Sequence, residues 1–255
     1  VRVGTSAVIA LLSLAVLSGC GDDDKGKESI TLYAGAGLRT AIDELSAAFE
    51  AKTGIAVIVD FAGSGMLITR AREDDAVDLF MPGDVWYLDR LQELTGKVAS
   101  KTDVSWFVPV ILVKKGNPKH ITTLADFYRD DVRVALGNPK ACQVGRITAT
   151  ILKKHGLKRE DLGTVKESLT VNELGVWVKM DDVDVTIVWD AIAANTAEST
   201  DIVSIPKEKN VISHVVVGLM KTSQKTESAQ RFIDFVTSDE GRAILKKRGY
   251  RTEAP

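Results

Sequence analysis

The chain of 255 residues carries 33 Lys and Arg against 35 Asp and Glu, a formal charge of −2. That balance excludes a nucleic-acid binder that works through a broad basic field. Shares of 45% apolar and 27% charged residues exclude a wholly disordered chain, and the length allows one large domain or two lobes, each with its own core.

The chain opens with one positive charge at Arg2 and an apolar run from Ala7 to Leu17, broken only by Ser13. The run is shorter than the roughly 20 residues a membrane span needs and fits the apolar stretch of a secretory signal. Leu17-Ser18-Gly19-Cys20 resembles a bacterial lipobox, in which the cysteine is acylated and becomes the new N-terminus. The expectation is a signal peptide over 1–19 and a lipidated Cys20 with a polar tether over 20–28. That places the protein on the periplasmic or extracellular face of a bacterial membrane. The Asp22-Asp23-Asp24 run reads as solvated linker, because nothing fixes its carboxylates in space. With Cys20 lipidated, Cys142 has no disulfide partner.

From Ser29 onward strands and helices alternate. Ser29–Ala34 reads as a strand that leaves through Gly35-Ala36-Gly37. Leu38, Ile42, Leu45 and Phe49 then mark one face of a helix that stops at Gly54. Ile55–Phe61 is a second strand, leading through Ala62-Gly63-Ser64-Gly65 into another helix. Val77–Met81 is a third, followed after Pro82-Gly83-Asp84 by a helix bearing Trp86, Leu88 and Leu91. Three such units predict an α/β lobe with a largely parallel sheet. Ser105–Lys114 reads as one long strand that Pro109 places at a sheet edge or between lobes. Further strands are expected at Val132–Leu136, Thr164–Leu169, Val185–Trp189 and His214–Met220, with helices near 142–155 and 171–180. Ala229, Phe232, Ile233 and Val236 announce a helix near the end, and Gly241–Arg248 a short basic one.

No nucleophile elbow, phosphate-binding loop, histidine metal motif or cysteine pair is present. His120, His155 and His214 stand singly, and Asp181, Asp182 and Asp184 lack the ligand spacing of a calcium loop. The reading is therefore not an enzyme, with no cofactor and no metal site. What recurs is a strand running into Gly, Ala or Ser at a helix start: after Ala34, after Phe61, and again around Gly137–Gly145. Such ends expose unpaired amides and a partial positive charge, and small residues let an anion reach them.

These residues resemble the periplasmic molybdate/tungstate-binding proteins of ABC transporters. The similarity runs from Ile30 to Tyr250, with anchors at Phe61–Gly65, Val77–Leu91, Val134–Pro139 and Ser228–Tyr250. The resemblance implies a type II periplasmic-binding-protein clamshell: two lobes, each a mixed, mostly parallel sheet flanked by helices, hinged on two crossing strands. Lobe 1 is expected over 29–107 plus 213–255 and lobe 2 over 108–212. Ligand positions carried over from the family fall on Gly37, Ser64, Val144, Val171 and Trp189. A family serine is replaced at Gly37 and kept at Ser64. Val144 and Val171 would offer backbone amides, and Trp189 stands where the family has a tyrosine. Asp190 either brings a negative charge near the cleft or caps the helix it begins. Cys142 is either a packing residue or a reactive thiol in the cleft.

The function expected from the resemblance is a lipid-anchored solute-binding protein that captures a tetrahedral oxyanion, molybdate or tungstate first. It would deliver that ion to an ABC permease and ATPase, acting as a monomer and touching no nucleic acid. The alternatives are a binding protein for another oxyanion and a sensor lipoprotein that signals to a membrane kinase.

Overall fold

A computed structural model describes Val1 and residues 28–255. The expected signal segment and Cys20 lie outside the described residues. Among the described residues ten strands form two five-stranded sheets.

The first sheet has the order β2-β1-β3-β10-β4. Strands β1 (Ser29–Gly35), β2 (Ala56–Ala62) and β3 (Leu79–Met81) are parallel, and β10 (Ser213–Met220) runs antiparallel to β3 and to β4 (Val98–Phe107). Helix α1 (Arg39–Thr53) covers it with the expected stripe: Leu38, Ile42, Leu45 and Phe49 are fully buried. Each such side chain contributes roughly 1.5–3 kcal/mol through burial. The helix ends where Gly54 takes the left-handed conformation and donates back to Glu50. Helices α2 (Ser64–Glu73) and α3 (Val85–Thr95) pack against each other, α3 also lying on β10. α7 (Thr226–Thr237) sets Phe232 edge-on against Phe49. α8 (Asp239–Lys247) follows it.

The second sheet has the order β7-β6-β8-β5-β9, built from β5 (Pro109–Lys114), β6 (Val134–Gly137), β7 (Val165–Ser168), β8 (Val185–Trp189) and β9 (Thr200–Ser204). Strand β6 is parallel to β7 and β8, while β5 is antiparallel to β8 and β9. Helices α4 (Gln143–Lys154), α5 (Val171–Lys179) and the short α6 (Asp190–Ala194) flank it. The two sheets with their helices are called lobe 1 and lobe 2 below.

The structure corrects the strand read at 105–114. It is two strands, β4 and β5, separated at Val108 where the chain leaves one sheet for the other. Strand β5 is interior, not an edge. Pro109 is tolerated because it stands first in the strand, where the missing N–H breaks no continuing ladder. The return crossing runs through residues 205–212, between β9 of the second sheet and β10 of the first. The two passages lie side by side, since Ser213 pairs with Phe107.

Candidate functional site

In a sheet with parallel strands, loops gather at the carboxyl ends, and ligands bind there. The carboxyl ends of β1, β2 and β3 in lobe 1 face those of β6, β7 and β8 in lobe 2. Between them lies a cavity of about 20 Å³, on the scale of one water or small ion. Its lining includes Gly35–Gly37 after β1, Gly63 and Ser64 after β2, and Gly83 after β3. Lobe 2 adds Cys142–Val144, Thr170, Val171 and Trp189, and Phe107 closes the hinge side. No acidic or basic side chain lines it.

The five residues that the sequence pointed to, Gly37, Ser64, Val144, Val171 and Trp189, all line this one cavity. Helices α2, α4 and α5 begin here, and none of their N-caps, Gly63, Cys142 and Thr170, supplies a side-chain cap. Helix α3 is capped by Asp84 and α8 by Ser238. The amides of Ser64, Gln143, Val144 and Val171 donate no hydrogen bond within the protein among the described residues. Buried amides are normally paired, so four open ones around a single void form a ready anion cradle.

Side chains complete the lining. The Ser64 hydroxyl, 3% exposed, accepts the Gly83 N–H at 2.9 Å, which leaves its own proton for the cavity. Trp189 is 2% exposed and stacks on Phe107 with ring centroids 4.9 Å apart and planes 4° apart. Its indole N–H has no acceptor among the described residues. A Cβ placed on Gly37 would lie 3.1–3.2 Å from Cδ1 and Nε1 of that indole and 3.0 Å from Val171 Cγ1. Tyr250 donates to the Gly37 carbonyl at 2.6 Å, and burial pushes its phenol up to about 12.

Cys142 is buried, its thiol directed at the carbonyls of Asn138 and Ser168 at 3.6 and 3.8 Å, and burial pushes it up to about 11. Its neighbours are those of a packing thiol at the cavity edge. Asp190 does not line the cavity. One of its oxygens accepts from Val108 and Ala191, and the other pairs with Arg251 at 2.7 Å. Its charge therefore fixes the hinge residue Val108 and is balanced by the C-terminal segment. Among the described residues no group of three His, Cys, Asp or Glu could hold a metal ion.

Contacts between the lobes were not legible in the sequence. Gly65 donates to the Ala141 carbonyl at 3.0 Å, and Gln143 Nε2 to Ser213 at 2.9 Å. Arg146 of α4 reaches Asp84 at 3.5 Å and lies 4.7 Å over the Trp86 ring of α3. Sequence reasoning also passed over Gln143, Phe107, Thr170 and the lining role of Gly83. The strand-turn-helix pattern before Asp84 was the one usable signal.

Comparison with known proteins agrees with this architecture. The chain is 26% identical over 260 residues to the "Molybdate-binding protein ModA" of Mycobacterium tuberculosis, covering 98% of each chain. Among solved structures, the periplasmic molybdate-binding protein of Azotobacter vinelandii superposes with a TM-score of 0.72 at 16% identity, covering 89% of this chain and 99% of that one. The sulfate-binding protein SubI of Mycobacterium tuberculosis gives 0.78 at 21%, covering 89% and 88%. These likenesses establish the two-lobed type II periplasmic-binding-protein fold. The family model described as "Bacterial extracellular solute-binding protein" matches residues 30–251, and the chain belongs to that family.

Proposed function

We propose that the protein captures a small tetrahedral oxyanion, molybdate or tungstate first, between its lobes and hands it to the permease and ATPase of an ABC transporter. The observation that carries this is the uncharged cavity onto which four open helix-terminal amides, the Ser64 hydroxyl and the Trp189 indole converge. Fixed N–H dipoles hold a dianion without a countercharge, and their partial positive charge supplies the attraction. The molybdate-binding relative supports the choice of ion. Residues 29–107 with 213–255, and 108–212, are the two bodies that close on it. Binding, not bond-making, is the activity, and Cys20 is the proposed site of lipid attachment outside the membrane.

A thermal-shift panel on the purified protein tests the reading. A ligand at 100 times its Kd adds about 2.7 kcal/mol, which for a chain of this size is about 5–10 °C in Tm. Molybdate and tungstate should give shifts of that order, and sulfate and phosphate much smaller ones. A flat response to both metal oxyanions with a large shift from another solute would refute the ligand assignment.

A further inference from the structure

The joint between the lobes is short. Phe107 pairs with Ser213 in the first sheet and Pro109 with Trp189 in the second, so rotation in the outward crossing falls on Val108. The return crossing stays with lobe 2 as far as Asn210, whose Nδ2 donates to the Pro109 carbonyl at 2.9 Å. Val108 is itself tied to lobe 2. Its carbonyl accepts the Asp190 N–H at 2.9 Å, and its own N–H donates to the Asp190 carboxylate at 3.2 Å. The C-terminal segment spans this joint. On the lobe 1 side the Arg251 carbonyl accepts the Trp106 N–H at 2.9 Å, and on the lobe 2 side Arg251 Nε donates to the Asp190 carboxylate at 2.7 Å. Gly249, at φ +85°, brings the main chain against α6: its Cβ position lies 3.3 Å from Ala194 Cβ and 3.5 Å from Ala191 Cα. Tyr250, between the two, reaches back to the Gly37 carbonyl of lobe 1.

We propose that Gly249–Arg251 is a third tie between the lobes, and that the Arg251–Asp190 ion pair braces the hinge so that a share of the molecules stands shut before any solute arrives. Opening carries Asp190 away with lobe 2, while the main-chain anchor of Arg251 stays with Trp106, so the pair must stretch or break. Neither Arg251 nor Asp190 lines the cavity. The brace therefore acts on the lobes and not on the solute, and it raises affinity by raising the share of molecules already competent to hold a ligand. The inference rests on the two lobes closing as bodies, whichever ion they close on.

Distances between spin labels test it. Glu93→Cys and Lys153→Cys, both exposed and each about two turns beyond the contact between Trp86 and Arg146, carry the labels on a background without Cys20 and Cys142. The ligand-free parent should show a shorter, shut distance beside a longer, open one. Arg251→Gln and Asp190→Asn should each lower the ratio of shut to open by about twofold to fivefold, the range of a half-exposed ion pair. Asparagine keeps an oxygen for the Val108 and Ala191 amides, so its effect isolates the charge. The double variant should fall no further than the more affected single one, and Arg251→Lys should regain part of the shut population. Molybdate affinity should weaken by the same factor as the shut population, with ligand-free Tm little changed. A ligand-free parent with the open distance alone, or distributions that are the same in parent and variants, overturns the inference. A parent that shows these shifts but does not bind molybdate supports the brace and removes the choice of ion alone.

Discussion

Ser64 shows how one side chain serves fold and site together. Its oxygen satisfies the Gly83 amide at the turn after β3, and its proton is left unspent beside the cavity that Ser64 lines. Ser64→Ala removes both, leaving a buried N–H without a partner, a cost of about 1–3 kcal/mol. Loss of the hydrogen bond to a charged ligand should weaken oxyanion binding by about tenfold to a hundredfold. Calorimetry separates this from the drop in ligand-free Tm, and an unchanged affinity would remove Ser64 from the site. Cys142 makes the opposite case. Because burial raises its thiol to about 11, the folded chain holds the proton more tightly than the unfolded chain. That contribution to stability is complete below the ordinary thiol value of about 8.5 and is lost as pH rises through the folded value. Tm should therefore fall between about pH 9 and 11, less steeply in Cys142→Ala, and iodoacetamide should react slowly at pH 8 with or without molybdate. Fast labelling that molybdate blocks would make Cys142 a cleft thiol instead.

At the scale of elements, what the sequence made legible is what periodicity encodes. The stripes Leu38-Ile42-Leu45-Phe49 and Ala229-Phe232-Ile233-Val236 are buried as spaced, and β8 has the limits expected of it. The outer part of β4, Val98–Ser105, was not legible. It is a sheet edge whose Lys101, Thr102 and Asp103 give no apolar alternation, and β9, only five residues long, is the edge of the second sheet. The loops feeding the cavity could be named from small residues before helices, but contacts between distant segments leave no mark in local spacing, and Trp189 over Gly37 is such a contact. The α4–α3 contact is another, and it predicts a closure defect. Arg146→Ala removes a ring contact worth about 0.5–1 kcal/mol, a part-buried ion pair with Asp84 and the hydrogen bond that Arg146 Nε donates to Gln143 Oε1. The ring contact and the ion pair join α4 to α3 across the lobes, and Arg146 itself is not in the cavity lining, so the loss should appear mainly in release. Stopped-flow fluorescence should show molybdate leaving about threefold to tenfold faster, with the association rate little changed. An unaltered release rate would show that this contact does not hold the lobes together.

For the molecule as a whole, the shut arrangement depends on two backbones meeting without side chains between them. Gly63 abuts the carbonyls of Ala141 and Leu169, and a methyl on Gly65 would overlap the Lys140 carbonyl oxygen outright. These neighbours are main chain and cannot rotate away, so closure and a side chain at 65 are mutually exclusive. Yet Gly65 lies in the first turn of α2, where alanine is a better helix former than glycine by up to about 1 kcal/mol. Gly65→Ala should thus leave the ligand-free protein as stable as the parent or slightly more so, while blocking the approach of the lobes. Gly163, with nothing within 4 Å of its Cβ position, gives the matched control. Small-angle scattering should show the parent and Gly163→Ala compacting when molybdate is added, and Gly65→Ala staying open. Because two of the six donors, the Ser64 amide and hydroxyl, come from lobe 1 and the other four from lobe 2, a protein that cannot shut loses part of the bond count that a dianion requires, and its affinity should drop by about tenfold to a hundredfold. If Gly65→Ala compacts and binds as the parent does, the ligand is held in some arrangement of the lobes other than this one, and the convergence of amides on the cavity would lose its functional meaning.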